Sequence, residues 1–290
     1  MHPENTKQFK HINHVRLAYV ERGVGRPMVF LHGNPSSSFL WRNILGPLSA
    51  EYRCIAPDLV GMGDSDKLLG DDPERYSFVA QQRYLDGLLE SLQLDEPVIL
   101  VVHDWGSALG FDFARRYPAR VRGIAYMEAI TGVRAWEAMP AQARELFRAL
   151  RSPAGEAMIL EQNAFIERLL PLSILRALTP AEHDEYRRPF REPGEARRPT
   201  LSWPRQLPIG GEPREICELV ERYAAFMAES PMPKLFVNAE PGRLLTGELR
   251  EACRRWPNQT EVTVSGLHYI QEDSPAEITS AIHDWARRLP

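Results

Sequence analysis

Residues 97–111 read Pro-Val-Ile-Leu-Val-Val-His-Asp-Trp-Gly-Ser-Ala-Leu-Gly-Phe, an apolar, β-branched run that ends in a polar residue and continues into small residues. This pattern predicts a strand over Val98–Val102, a sharp turn at Asp104 and a helix over Ser107–Tyr117. It is the layout of a nucleophile elbow, in which serine is the usual nucleophile. Because the residue here is Asp104, and a carboxylate can displace a leaving group from saturated carbon, we expect an enzyme that cleaves bonds at sp³ carbon.

The composition limits the partners and the compartment that this chain can have. It has 290 residues, of which 43% are hydrophobic, a net charge of -4 and a pI near 6.1, which argue against binding to nucleic acid or to an anionic membrane. Cys54, Cys217 and Cys253 are far apart and odd in number, so that neither a disulfide framework nor a zinc site is expected. Met1–Lys7 contains no apolar leader segment, and we expect a cytoplasmic protein with no membrane partner.

The chain alternates strands and helices except in its middle part. The other predicted strands are Val15–Glu21, Pro27–Leu31, Tyr52–Ala56, Val121–Met127, Lys234–Asn238 and Glu261–Ser265. The predicted helices outside the middle part are Phe78–Leu92, Pro213–Met227, Gly247–Trp256 and Pro275–Arg288. Near-continuous apolar runs between helices predict a mostly parallel sheet that is covered by helices on both faces.

The middle part has no convincing strand pattern. The predicted helical stretches there are Ala141–Leu150, Glu156–Leu170 and Pro180–Tyr186, and Arg197–Pro204 resembles a crossing segment. We therefore predict an α/β fold in which two core segments, 1–130 and 213–290, flank a helical cap over 131–212.

Polar residues follow several predicted strands, and ligands of doubly wound sheets bind beyond the carboxyl ends of the strands. These candidates are Asn34, Asp104 with Trp105, Glu128 and His268. The chain order of nucleophile, acid and histidine is typical of the α/β hydrolase fold, and a neutral His268 would take a proton from the water that hydrolyses an alkyl ester on Asp104. Glu128 or Glu240 could be the acid, since both follow strands, and the apolar flanks of Glu128 favour it.

Asn34 and Trp105 are candidates for contact with the leaving group. A departing halide needs hydrogen-bond donors and tolerates no nearby anion, and the side chains of both residues are uncharged donors. Their backbone N–H groups are also candidates for an oxyanion hole. The candidates for the substrate pocket are Phe147, Phe165, Leu267 and Tyr269. The two phenylalanines lie in the cap and could equally form its core.

Four motifs together resemble the haloalkane dehalogenases of the α/β-hydrolase fold. These motifs are His32-Gly-Asn-Pro35, Val102-His-Asp-Trp-Gly106, Met127-Glu128 and Gly266-Leu-His-Tyr-Ile-Gln-Glu-Asp273. The resemblance runs through nearly the whole chain and is to the subfamily with an Asp-His-Glu triad and an Asn/Trp halide pair. It implies the α/β-hydrolase fold, a mostly parallel sheet of eight strands with an inserted helical cap. The roles that it implies are nucleophile for Asp104, base for His268, acid for Glu128, and halide donors for Asn34 and Trp105. No cofactor and no metal is expected; water is the second substrate, and the partners would be a small haloalkane and a halide ion, with the protein a monomer or homo-oligomer.

Other activities use a similar framework. The cap run Gly194–Arg205 resembles that of the coelenterazine-oxidising luciferase of sea pansy, which shares the fold but carries out a cofactor-free oxygenation. Epoxide hydrolases also use an aspartate at the elbow, but their leaving alkoxide needs an acid, usually lid tyrosines, and Tyr186 is the only tyrosine in the insertion. A fluoroacetate dehalogenase would need arginines close to the nucleophile to bind the carboxylate of its substrate, and no arginine closely follows Asp104. A non-catalytic binding protein of this fold would commonly lack a member of the triad, and this chain keeps all three.

Overall fold

A sheet of eight strands runs through the computed structural model, which describes residues 6–290. The strands are β1 (Lys7–Ile12), β2 (Val15–Arg22), β3 (Arg26–Leu31), β4 (Tyr52–Pro57), β5 (Val98–Asp104), β6 (Val121–Ala129), β7 (Lys234–Pro241) and β8 (Gln259–Gly266). Their order across the sheet is β1-β2-β4-β3-β5-β6-β7-β8. The strand β2 pairs antiparallel with β1 and β4, and all other neighbours are parallel, so the predicted fold class is confirmed.

Helices connect the strands and flank the sheet. They are α1 (Arg42–Leu48), α2 (Phe78–Ser91), α3 (Trp105–Arg116), α4 (Ala141–Arg151), α5 (Ala154–Glu156), α6 (Pro180–Arg187), α7 (Arg198–Gln206), α8 (Arg214–Glu229), α9 (Gly247–Arg254), α10 (Ile270–Asp273) and α11 (Pro275–Ala286). The helix α1 packs against α11, and α3 packs against α2 and α8. Every residue of β5 is buried, because helices cover both faces of the sheet at its centre, and this explains the uninterrupted apolar run of that strand.

The strand β1 was not predicted, and its sequence explains why. Its residues are mostly polar and partly exposed, as is usual at the edge of a sheet, so that no hydrophobic alternation marks it. Between β1 and β2 the chain turns at Asn13 and His14, whose φ angles are 50° and 66°. A two-residue turn with both φ angles positive matches the twist of an antiparallel hairpin. The turn and backbone pairing therefore place β1, whereas hydrophobic packing contributes little. Residues 1–5, part of the N-terminal stretch predicted to contain no leader, lie outside the described residues.

The chain between β6 and α8 consists of helices and turns, with isolated bridges but no strand among the described residues. Its two ends meet, because the backbone N–H of Arg134 donates to Pro208 and that of Gly210 donates to Arg134. The segment also has an apolar cluster of its own. The buried members of this cluster are Leu150, Ile159, Leu160, Ala164 and Leu201. We refer to the whole segment as the cap; its boundaries as a domain, at 131 and 212, stay a prediction.

Two segments of the cap differ in detail from the prediction. The stretch Glu156–Leu170 is helical as predicted but interrupted, because two π-helical turns are separated at Asn163, whose φ angle of 52° is left-handed. The presumed crossing segment at Arg197–Pro204 forms α7. Pro199 lies in the first turn of α7, where no backbone N–H is needed, so this proline does not prevent the helix.

Candidate active site

Asp104 lies at the sharp turn between β5 and α3. Its φ angle of 50° redirects the chain at once into α3, which begins at Trp105, two residues earlier than predicted. Neighbouring glycines make this turn possible. A Cβ atom on Gly33 would lie 2.1 Å from Oδ1 of Asp104, and one on Gly106 would lie 2.2 Å from the carbonyl oxygen of Leu31. Side chains at these positions would collide with the elbow, which is therefore built on close backbone approach.

The carboxylate of Asp104 is buried but well supplied with donors. The backbone N–H of Asn34 donates to Oδ1 at 2.8 Å, and the backbone N–H of Trp105 also donates to this carboxylate. Burial alone would raise the pKa of Asp104, but hydrogen bonding and charge from His268 outweigh it and lower the pKa below its ordinary value. The structure thus brings both backbone groups predicted for an oxyanion hole to an ionised carboxylate.

His268 lies between two carboxylates. Its Nε2 atom is 3.5 Å from Oδ2 of Asp104, and its Nδ1 atom is 3.1 Å from Oε2 of Glu128. Burial lowers the pKa of His268, but the hydrogen bonds and charges of these two carboxylates more than offset burial and raise the pKa to about 9. The imidazole is therefore oriented by Glu128 and can exchange a proton at the side of Asp104.

Glu128 is held by the chain that follows β7. The backbone N–H groups of Arg243 and Leu244 donate to its Oε2 at 3.1 and 2.6 Å, and that of Leu245 donates to Oε1 at 3.2 Å. A buried carboxylate needs such partners to stay ionised. The alternative acid, Glu240, is exposed at the end of β7, so the structure brings Glu128 and not Glu240 to His268.

The side chains of Asn34 and Trp105 lie under the cap. Both residues are buried, and the Nδ2 atom of Asn34 is 3.5 Å from the carbonyl oxygen of Thr200 in α7, which makes a weak hydrogen bond. The Oδ1 atom of Asn34 is buried with no hydrogen-bond partner among the described residues. The indole of Trp105 stacks on Trp203 of α7, with ring centroids 4.6 Å apart. The cap thus covers the two side chains that the sequence predicts as halide donors.

The pocket candidates have different surroundings. Phe147 and Phe165 pack against the apolar cluster of the cap, and the backbone N–H of Leu267 donates to Asp273 at 3.3 Å. The hydroxyl of the buried Tyr269 donates to the backbone carbonyl of Asn34 at 2.8 Å. A role of these four residues in binding substrate stays a prediction.

Sequence reasoning missed two supports of the site. One is His103, whose Nε2 atom lies 2.8 Å from the carbonyl oxygen of His268; since a carbonyl only accepts, this nitrogen carries the hydrogen. Burial and the charge of His268 lower the pKa of His103 to about 3, so it stays neutral. The other is the turn at Pro241-Gly242, which presents the backbone donors to Glu128. The Pro-Gly pair predicts a turn from sequence, but the sequence does not indicate that the backbone N–H groups after this turn bind Glu128.

The described part of the chain lacks a metal-binding cluster, a membrane-spanning helix and disulfide bonds. Between residues 6 and 290, no cluster of three or more His, Cys, Asp or Glu side chains could hold a metal ion. Within the same range, no helix is both long and apolar enough to cross a membrane. Cys54, Cys217 and Cys253, all in this range, are buried free thiols.

Comparison with known proteins gives first the class and then the family. The α/β hydrolase fold family matches residues 26–275, which defines the class of this protein. A haloalkane dehalogenase of Sphingobium indicum is 56% identical over 287 residues, covering 99% of this chain and 97% of that protein. One from Mycolicibacterium smegmatis is 47% identical over 289 residues, covering 99% of this chain and 93% of that protein.

A solved structure agrees with these relatives. The crystal structure of haloalkane dehalogenase DbeA from Bradyrhizobium elkani superposes with a TM-score of 0.92 at 41% identity, covering 97% of each chain. The chain belongs to the haloalkane dehalogenase family. The predicted family and the predicted class of hydrolase are therefore confirmed.

Proposed function

We propose that this protein hydrolyses the carbon–halogen bond of small haloalkanes to an alcohol, a halide ion and a proton. One observation carries the proposal: an ionised, buried Asp104 lies at the elbow, with His268 between it and Glu128. A carboxylate at this position can displace a leaving group from saturated carbon, whereas a serine at the same position would attack a carbonyl group. The 56% identity to the haloalkane dehalogenase of Sphingobium indicum supports the same reaction.

The first step needs no base. An oxygen of Asp104 forms a bond to the carbon of the substrate, the carbon–halogen bond breaks, and the halide leaves with the electron pair. The side-chain N–H groups of Asn34 and Trp105 are the donors that stabilise the developing negative charge. Because the site is buried beneath the cap, these donors act in a medium that screens them less than water does.

The second step needs His268. Water attacks the carboxyl carbon of the alkyl ester while Nε2 of His268 takes one of its protons, and the imidazolium is stabilised by Glu128. The backbone N–H groups of Asn34 and Trp105 stabilise the resulting oxyanion. The bond from the carboxyl carbon to the alkoxide then breaks, the second proton of the water passes to the departing alcohol, and Asp104 is an ionised carboxylate again. His268 finally releases its proton to solvent.

An epoxide substrate is less compatible with the cap. Opening an epoxide requires an acid that protonates the alkoxide, and Tyr186 is the only tyrosine between residues 131 and 212. The hydroxyl of Tyr186 is buried and donates to Glu272, so it is committed to another partner. A halide, in contrast, leaves without a proton, and the uncharged donors of Asn34 and Trp105 suffice for it.

Halide release from 1,2-dibromoethane and 1-iodobutane tests the proposal. We expect the purified protein to release halide continuously from at least one of them. A His268→Phe variant should release one halide per molecule and then stop, because the ester on Asp104 cannot be hydrolysed without the base; mass spectrometry of the Asp104 peptide would detect the added alkyl group. If no halide is released and coelenterazine gives light instead, the protein is a luciferase and the proposal is wrong.

A further inference from the structure

The loop of the candidate base is held by the cap. The backbone N–H groups of His268 and Tyr269 both donate to the carbonyl oxygen of Ser173, at 3.0 and 3.2 Å. Ser173 belongs to the cap, at the end of the short 3₁₀ helix Pro171–Ser173. The main chain that positions the imidazole is therefore attached to the cap, and its position depends on where this edge of the cap lies.

Asp273 makes a second connection between the same two segments. Its Oδ1 atom accepts hydrogen bonds from the backbone N–H groups of Leu175 and Arg176 in the cap, at 2.8 and 3.1 Å. Its Oδ2 atom accepts from the backbone N–H of Leu267, the residue before His268, at 3.3 Å. One carboxylate thus joins the loop of the base to the cap, and charge-assisted hydrogen bonds of this kind are stronger than those between neutral groups.

The neighbouring carboxylate strengthens the connection. Glu272 is buried, and Arg42 of the core donates to both of its oxygens, at 2.6 and 2.7 Å. Arg176 and Tyr186 of the cap donate to the same carboxylate, and the Nε atom of Arg176 also donates to the backbone carbonyl of Glu272 at 2.7 Å. The cap is thus connected to the His268 loop and to α10 by four residues, Ser173, Arg176, Glu272 and Asp273.

We propose that Asp273 is a positioning residue for His268: its carboxylate holds the loop of the base against the cap. This inference rests on the proposed function, in which the base acts only in hydrolysis of the ester. Asp104 attacks without a base, so a loop that shifts when Asp273 is removed slows the second step and leaves the first step nearly unchanged. A misplacement of about 1 Å in a catalytic group can lower a rate by about a hundredfold.

The test compares Asp273→Asn and Asp273→Ala by rapid quenching with 1-iodobutane. In the asparagine variant the amide oxygen can still accept from the cap, but the NH₂ group then faces the N–H of Leu267, donor against donor. Release of iodide in the first turnover measures the alkylation step, and the mass of the Asp104 peptide follows decay of the ester. We expect ester decay to slow by about tenfold or more while the first release of iodide changes less than about twofold.

Asp86→Asn is the matched control, because Asp86 is also a half-buried aspartate that accepts hydrogen bonds, but it lies on α2 and its partner is the side chain of Arg116 on α3. Both rates should stay unchanged in this variant. The inference is overturned if the two steps slow equally in the Asp273 variants, or if neither step slows. If the alanine variant fails to fold, the nearly isosteric asparagine variant decides. Failure of the proposed function is distinct, since the unsubstituted protein would then release no iodide at all.

Discussion

Asp104 is subject to opposing electrostatic effects. Burial favours its neutral form, whereas the hydrogen bond and charge of His268 favour the ionised form and lower its pKa. The nucleophile is therefore charged before a substrate arrives. The interaction also raises the pKa of His268, and the hydrogen bond to Asp104 is the largest of the effects that raise it. When Asp104 becomes an ester, this charge disappears and His268 becomes a more easily deprotonated group.

An Asp104→Asn variant imitates the charge of the ester, and it should lower the pKa of His268. The pKa is raised to about 9 by Asp104 and Glu128 together, so with one carboxylate removed we expect a lower value, and a neutral imidazole over a wider range of pH. An NMR titration of the imidazole measures this, with His268→Phe identifying the signal. Asp86→Asn, remote from the site, should leave the titration unchanged. An unaltered titration in Asp104→Asn would show that the charge of Asp104 does not control the base.

The two candidate acids are separated by a matched pair of variants. In the unsubstituted protein the carboxylate of Glu128 accepts backbone N–H groups and orients His268. The Glu128→Gln variant replaces this carboxylate by an uncharged amide, so ester decay should slow by at least about tenfold. In Glu240→Gln the change lies on an exposed side chain, and ester decay should be unaffected. Rapid quenching of both variants gives the two rates. Slower decay in Glu240→Gln alone would reverse the assignment of the acid.

The meeting of the candidate site residues was predictable from the sequence, but the groups that hold them in place were not. Asn34, Asp104, Glu128 and His268 each follow a strand, and parallel strands bring their carboxyl ends to one edge. The donors to Glu128 are backbone groups, which carry no sequence identity. For the same reason, the bonds of Asp273 to the backbone of two distant segments could not be read from residue types.

At the scale of elements, the elbow depends on how closely β3 approaches α3. Gly106 is in the first turn of α3, and its Cα atom faces the backbone of Leu31 at the end of β3. A backbone carbonyl cannot move away as the tip of a flexible side chain can. The strand–turn–helix unit and the neighbouring strand therefore form one rigid support for Asp104.

Gly106→Ala should destabilise the protein by about 3 kcal/mol, since the new Cβ overpacks against a fixed backbone. Gly46→Ala is the control: Gly46 lies within α1, and apart from its two chain neighbours an added Cβ would meet only Arg22, at 3.5 Å. Alanine favours helical backbone more than glycine does, whereas Pro47 disfavours it for the residue before it, so the free energy of unfolding should change by less than about 1 kcal/mol. Urea unfolding of both proteins measures the difference. Equal stability of Gly106→Ala and the unsubstituted protein would contradict the close approach.

The elements that sequence predicted well are those buried on both faces. The apolar runs of β3, β5 and β6 are continuous because helices cover them on each side. The strand β1 was not predicted because an edge strand needs no continuous apolar run. The helix α7 was not predicted because its prolines are typical of irregular structure. In both cases the decisive contacts are made by the backbone or by distant parts of the chain.

At the scale of the whole molecule, the core supplies reacting groups and the cap controls their surroundings. The core carries Asp104, Glu128 and His268, which are far apart in sequence and meet at one edge of the sheet. The cap covers Asn34 and Trp105 through α7, and it holds the His268 loop through Ser173. Under the proposed function, exclusion of water and placement of the base would both depend on the cap.

A single turnover in water labelled with oxygen-18, with enzyme in excess over haloalkane, distinguishes attack by Asp104 and hydrolysis of its ester from direct attack by water on the substrate. Because water attacks the carboxyl carbon, the label should appear in the Asp104 peptide, and the oxygen of the first alcohol should come from the unlabelled carboxylate. Mass spectrometry of the peptide and of the alcohol measures both. Labelled alcohol in the first turnover, with an unlabelled Asp104 peptide, would mean that water attacks the substrate directly and would contradict this mechanism.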